Sequence, residues 1–494
     1  MAQVVLWGAS SIMPKAKPVN VSSWVSVVAE QTQPDVVHWW AGTNSERSRL
    51  AEAVARSDTS EAVGQDLHPE HAPVLFSTHR RADTGPTNLW ISRDDAQARV
   101  WSMFRGAMRG RTMYVVPYLL GPPRSAFSRA GVQVTDCARV ALAIDRFARS
   151  GTGALNHLGS SLDFNRGLHS LAEQHPARKL IVHFPEMVET WSIGSGAIGD
   201  ALLCGGVEGL RLASSQAREE GWLAENMSIF QLEDDAGNRW HFAVAAADPE
   251  ALAELARAGQ SRSGWRLQQL GTGACWMRPG NDGSLRALDP EAREWQPPEG
   301  VKLSALLFCG RQARSTPLVY EARSWRHGVY IGATLTREAE GTSLPTIDPM
   351  SMLNRCGYNL ADYFAHWLSV GRKLCDPPKI FHVNWFEADG EGRRLWPGGE
   401  HNMRVLQWIV GRVERTADAC RSPLGYVPTL DSIDVGGLAS SPERLHQALT
   451  CKHAALLRQA EGARKFLARF GEALPGSLLL EHRQLVRALQ ESLH

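Results

Sequence analysis

Two short apolar runs constrain what this chain can fold into more than any other feature. Thr112-Met113-Tyr114-Val115-Val116-Pro117-Tyr118 and Leu180-Ile181-Val182-His183-Phe184 are rich in β-branched and aromatic residues, and each has a proline close by. Such runs read as buried strands closed near the proline. Residues 135–149, between them, carry apolar side chains at helical spacing. Buried strands interleaved with amphipathic helices are the α/β pattern.

The rest of the chain extends it. A helix is expected over about 209–225, with Glu219 and Glu220 on its polar side. Strands are expected over 227–232 and 239–245, joined by the turn sequence Asp234-Asp235-Ala236-Gly237-Asn238. A second strand-rich block is expected over 304–333. Ser441-Pro442-Glu443 supplies a cap, a first-turn proline and an acid, and Leu445, Leu449, Leu456 and Leu457 follow at helical spacing. Leu474-Pro475-Gly476 breaks that run before a last amphipathic helix.

At 494 residues, more than one lobe is expected. Lys plus Arg (53) nearly cancels Asp plus Glu (52), so bulk charge points to neither nucleic acid nor an anionic membrane. The eight cysteines are scattered with no C-x-x-C pair, which argues against a zinc knuckle or a disulfide framework and fits a reducing compartment. The first residues lack the basic flank and long apolar core of a signal peptide, and no run is long enough to cross a bilayer. A cytoplasmic location is the expectation.

General catalytic signatures are missing: no G-x-x-x-x-G-K-[ST], no H-E-x-x-H and no G-x-S-x-G. Gly194-Ser195-Gly196 reads as a turn. The combination of longer motifs is more telling. Gly110-Arg111-Thr112-Met113-Tyr114-Val115-Val116-Pro117, Gly221-Trp222-Leu223-Ala224-Glu225 and Glu321-Ala322-Arg323-Ser324-Trp325-Arg326-His327-Gly328-Val329 occur in order. Asp348-Pro349-Met350, Gly357-Tyr358-Asn359, Ala365-His366-Trp367-Leu368, His382-Val383-Asn384-Trp385-Phe386 and Leu395-Trp396-Pro397-Gly398 follow. Together they resemble the GTP-dependent phosphoenolpyruvate carboxykinases over nearly the whole chain. The resemblance implies an N-terminal lobe (1–220) packed on a nucleotide-binding lobe (221–494), with the site between them.

The resemblance also implies chemistry, namely decarboxylation of oxaloacetate and transfer of the GTP γ-phosphoryl group with a bound metal. The residues that would run it are replaced. Where the family has its phosphate-cradling Gly-Lys-Thr, the chain reads Ala246-Ala247-Asp248-Pro249-Glu250-Ala251-Leu252-Ala253. The family's manganese-binding lysine, histidine and aspartate fall at Gly206, Asn226 and Gly273. Its Tyr-Gly-Gly-Asn becomes Ala197-Ile198-Gly199-Asp200, and a substrate-binding arginine falls at Pro69. In the guanine pocket Phe386 and Asn402 match, while Arg394 and Gly399 replace two aromatics. The lid between 334 and 348 is short, with Arg337 beside the position of a GTP-contacting arginine. A long family segment is collapsed near 290–295. The expected fold is therefore α/β and carboxykinase-like, with a truncated nucleotide lobe and a lost P-loop.

Two functions follow. In one, the inherited cleft acts on a different small molecule without nucleotide, metal or other cofactor. Asp200, His68 and His71 would then be the acid–base candidates, with Glu70, Cys204, Asn226, Cys275, Arg337, Phe386 and Asn402 around them. In the other, the protein is non-catalytic and binds a metabolite or a protein partner. Trp325, His327, Trp367, Trp385 and Trp396 read as packing residues, His183 and His366 as internally hydrogen-bonded, and Arg111 and Arg323 as ion-pair partners.

Overall fold

The computed structural model describes residues 20–57, 72–157, 164–172, 178–246, 249–261, 263–271, 273–292, 297–310, 316–338, 345–438 and 440–492. Among them a nine-stranded mixed sheet runs in the order Val36–Trp39, Thr112–Leu120, Arg129–Thr135, Asn165–Ser170, Glu189–Ile193, Leu180–Phe184, Val74–Phe76, Leu89–Trp90, with Arg149–Ser150 beside Thr112–Leu120. The strand Thr112–Leu120 does not stop at its proline. Pro117 pairs with Val132, and its carbonyl accepts from Gly151 N (2.8 Å). It lies where the neighbour on that side changes from Val36–Trp39 to Arg149–Ser150, so its missing N–H costs the sheet little.

The second half carries an eight-stranded sheet. Its order is Arg266–Gly271, Ser228–Glu233, Arg239–Ala246, Ala305–Cys309, Lys379–Val383, Val319–Glu321, Gly425–Val427, Cys420–Ser422. A four-stranded sheet (Leu223–Glu225, Cys275–Pro279, Leu285–Leu288, Val301–Lys302) and a hairpin of Thr336–Glu338 with Pro345–Ile347 complete the strands. The largest apolar cluster runs from Trp40 and Tyr118 through Trp222, Trp276 and Phe308 to Leu478, so the two halves share one core.

Several boundaries differ from expectation. The helix expected over 209–225 is Gly206–Glu220, because Gly221 adopts φ 79°, the left-handed geometry that stops a helix, and Leu223–Glu225 then joins a sheet. Within the block expected to be strand-rich, Trp325–Ala333 is a helix, started by Ser324, whose hydroxyl accepts from His327 N (3.2 Å). The leucine run after Ser441 is two helices, Pro442–Leu449 and His453–Ala468. The helix within 135–149 is Ala138–Phe147, and Thr135 ends the strand before it.

The halves are tied by hydrogen bonds to backbone groups. Asn359 N donates to Asp83 O (2.8 Å) and Asn359 Nδ2 to Ala82 O (3.0 Å). Arg211 Nε donates to Asn354 O (2.9 Å), and Arg469 Nη2 to Pro86 O (3.1 Å). Among the described residues no helix is long and apolar enough to cross a membrane. All eight cysteines are free thiols.

Candidate functional site

A cavity of about 430 Å³ opens between the two halves. The strand Val74–Phe76, residues 87–89 and the start of the helix Gly206–Glu220 line one side, and Arg337, Asn354 and Arg355 line the other. Asp200 and Arg337, two of the expected site residues, meet here.

Asp200 is almost fully buried. Its Oδ2 accepts from Ser195 Oγ (2.8 Å) and from Ala72 N (3.2 Å), so it binds the 194–196 turn to the strand leading into the cavity. Gly194 makes that turn at φ 81°, where a Cβ would lie 2.7 Å from Arg178 O. His68, Glu70 and His71 lie outside the described residues.

Two residues that sequence reasoning passed over organise the wall. Glu208 and Arg211, one helical turn apart, form a buried ion pair. Glu208 Oε2 also accepts a hydrogen bond from His183 Nε2 (2.7 Å), while His183 Nδ1 pairs with Thr190 Oγ1 (2.9 Å). Burial pushes the His183 pKa down and keeps the ring neutral. Burial opposes charge on Glu208, but His183 and Arg211 outweigh it and hold the carboxyl below its usual value. The Glu-x-x-Arg spacing was the available signal. Arg355 and Asn354 had none, since only the chain path brings them opposite that helix.

The positions read as metal-binding in the resemblance stand apart from one another in chemistry. Gly206 N donates to Glu291 Oε1 (2.9 Å), and burial pushes the Glu291 carboxyl up to about 7. Asn226 offers its Nδ2 to Ser351 O (3.4 Å) and its N to Met352 Sδ (3.3 Å). Gly273 has no side chain. Cys204 and Cys275, expected to line the pocket, lie instead in the large apolar core, where burial raises both thiol pKa values. Cys275 opens the fully buried start of the strand Cys275–Pro279, and Cys204 lies in the buried stretch just before the helix Gly206–Glu220, so both side chains face the apolar interior. Among the described residues no three His, Cys, Asp or Glu side chains converge as a metal would require.

Phe386 and Asn402 sit on the far side of the eight-stranded sheet, where one carboxylate holds the surroundings closed. Glu254 Oε1 accepts from Arg394 Nη1 (2.6 Å) and Glu254 Oε2 from Gly399 N (3.2 Å). Asn402 Nδ2 donates to Glu254 O (2.8 Å), and its Oδ1 accepts from Trp396 Nε1 (2.9 Å). The Arg394 guanidinium lies 5.1 Å from the centre of the Phe386 ring. Thus Asn402 is spent on the protein itself, and the face of Phe386 carries an arginine.

Fold and cavities together define a class: a mixed α/β protein of two sheet-bearing halves with a cavity between them. Residues 23–218 match the phosphoenolpyruvate carboxykinase N-terminal domain. Residues 222–293 and 291–488 match the phosphoenolpyruvate carboxykinase C-terminal P-loop domain. The chain is 32% identical over 592 residues to phosphoenolpyruvate carboxykinase [GTP] of Anaeromyxobacter dehalogenans (strain 2CP-C), covering 97% of this chain and 99% of that protein. It is 32% identical to the protein of the same name from Paenarthrobacter aurescens (strain TC1), covering 93% and 95%. With that of Chlamydia trachomatis serovar D the identity is 30%, covering 94% and 96%. The chain belongs to the GTP-type phosphoenolpyruvate carboxykinase family.

The cofactors implied by that family do not suit the residues present. Gly206 and Gly273 offer no side-chain donor, Asn226 is a neutral amide turned to a backbone carbonyl, and Arg394 and Asn402 are engaged by Glu254.

Proposed function

We propose that this family member does not carry out GTP- and metal-dependent oxaloacetate decarboxylation, and that its cleft serves a different small molecule without nucleotide or metal. The observation that carries this reading is the Glu254–Arg394–Asn402 lock, which uses the groups that would otherwise receive a base. The helix Pro249–Arg257 begins where a phosphate-binding Gly-Lys-Thr is expected, with Glu250 in its first turn, which disfavours a triphosphate. A shortened nucleotide lobe is supported by the C-terminal match, whose two stretches meet at 291–293, and by alignment over 592 residues for a chain of 494. The division near residue 220 belongs to the same proposal.

The open cavity favours a bound small molecule over a collapsed cleft. A second reading, a non-catalytic binding protein, is supported by the engagement of its two carboxylates. Asp200 holds Ser195 and Ala72, and Glu208 holds His183 and Arg211.

Calorimetric titration with GTP, with and without manganese and oxaloacetate, tests the proposal. Silence is expected under all conditions. Saturable, metal-dependent binding of GTP would overturn it.

A further inference from the structure

We propose that the cavity faced by Arg337 and Arg355 takes an organic anion with an apolar body, a phosphate or carboxylate head carried on an alkyl or aryl group. This rests on the proposed small-molecule role of the cleft and names its ligand class.

The anionic half follows from two guanidinium groups in the wall that form no ion pair among the described residues, while the wall's carboxylates are already engaged, Asp200 by Ser195 and Ala72 and Glu208 by His183 and Arg211. Arg211 is neutralised by Glu208 and directed to Asn354 O. Arg355 makes one hydrogen bond among the described residues, from Nη1 to Ser351 O (3.2 Å). Arg337 Nε is buried with no hydrogen-bond partner among them. These two cations share the influence of one carboxylate, Asp348, whose Oδ1 accepts from Leu353 N (3.0 Å), and neither forms an ion pair with it. Burial lowers the Arg355 pKa, and the nearby Arg211 and Arg337 lower it further. Like charges in a partly desolvated wall repel, and an anion between them both relieves that repulsion and satisfies the spare N–H groups.

The apolar half follows from the rim. Leu89 is 61% exposed and Val207 38%, and both line the cavity. Ile198, at 38%, directly precedes the lining Gly199. These are three of the eight large apolar side chains left exposed among the described residues. Scattered singly they would need no explanation, but lining or bordering one cavity with two guanidinium groups that form no ion pair among the described residues they suit a ligand that is charged at one end only. A small dicarboxylate or a triphosphate gains nothing from such a rim.

The test is calorimetric titration of the intact chain with phenyl phosphate, benzoate, inorganic phosphate and phenol. Saturable binding of phenyl phosphate or benzoate is expected, the stronger arm identifying the head group. Inorganic phosphate should bind at least about tenfold more weakly and phenol should not bind. Arg355→Met and Arg337→Met should each weaken the aryl anion by about tenfold or more. Arg337 lies on the short hairpin, so its variant keeps the test alive if Arg355→Met fails to fold. Leu89→Ser should weaken the aryl anion and leave inorganic phosphate unchanged. Silence toward both aryl anions, equal binding of inorganic and phenyl phosphate, or indifference to both arginine variants would overturn the inference. A GTP and manganese titration of the same sample separates the two failures: GTP binding would sink the proposed function, whereas silence toward GTP and aryl anions alike sinks this inference alone.

Discussion

Glu225 ends the strand Leu223–Glu225 with no solvent around it, and its two oxygens accept from Tyr363 Oη and from Trp367 Nε1 (2.9 Å). Burial pushes its pKa up to about 8, against the pull of both hydrogen bonds. A carboxyl whose pKa is raised on folding stabilises the fold fully below its unfolded value near 4.5. That contribution is lost as pH rises through about 8. Glu225→Gln should therefore flatten the fall in thermal midpoint between pH 5 and 9, and at pH 9 should be the more stable protein, by on the order of a few kcal/mol. A wild-type midpoint that stays level over that range would contradict the assignment. The same scale explains residues whose sequence reading was structural. His183 is fully hydrogen-bonded, and Arg111 pairs with Asp136 (2.9 Å). His366 is satisfied at Nδ1 by Tyr358 Oη (3.2 Å), but its Nε2 is buried without a partner.

The helix Gly206–Glu220 is the element that does most to shape the cavity, since it carries Glu208 and Arg211 toward Asn354 and Arg355. It lies close against residues 354–359 because position 357 is glycine. A Cβ there would sit 2.1 Å from Arg211 O and 2.5 Å from Ser215 Oγ, while Gly357 N donates to Ser214 Oγ (2.9 Å). Gly357→Ala should cost about 1–3 kcal/mol, as overpacking does, read as a lower denaturation midpoint. An unchanged midpoint would mean that the helix can shift without loss. The helix itself was legible from its periodicity. Its end was misplaced because apolar spacing continues through Trp222 and Leu223, and only the left-handed Gly221 stops it.

Across the whole molecule, one of the side chains that tie the halves together has two tasks. Asn359 Oδ1 accepts from Ala361 N (3.0 Å), capping the helix Leu360–Gly371, and Asn359 Nδ2 reaches Ala82 O (3.0 Å) in the other half. Asn359→Ala should lose both, about 2 kcal/mol in all. Asn359→Asp keeps the cap and loses only the donor, so it should fall roughly midway. If the aspartate variant were as unstable as the alanine variant, the cap would contribute nothing and the joint everything.

The sequence by itself determined the α/β class, the family and most elements, because periodicity, caps and turn residues are local and the motifs keep their order along the chain. Only the tertiary structure decided which distant residues meet. The Glu254 lock joins residues 140 to 148 positions apart, the Arg337–Arg355 pair faces a helix far earlier in the chain, and Cys204 and Cys275 turn into the core. Burial and long-range pairing set those roles, and neither is written in the local pattern of side chains.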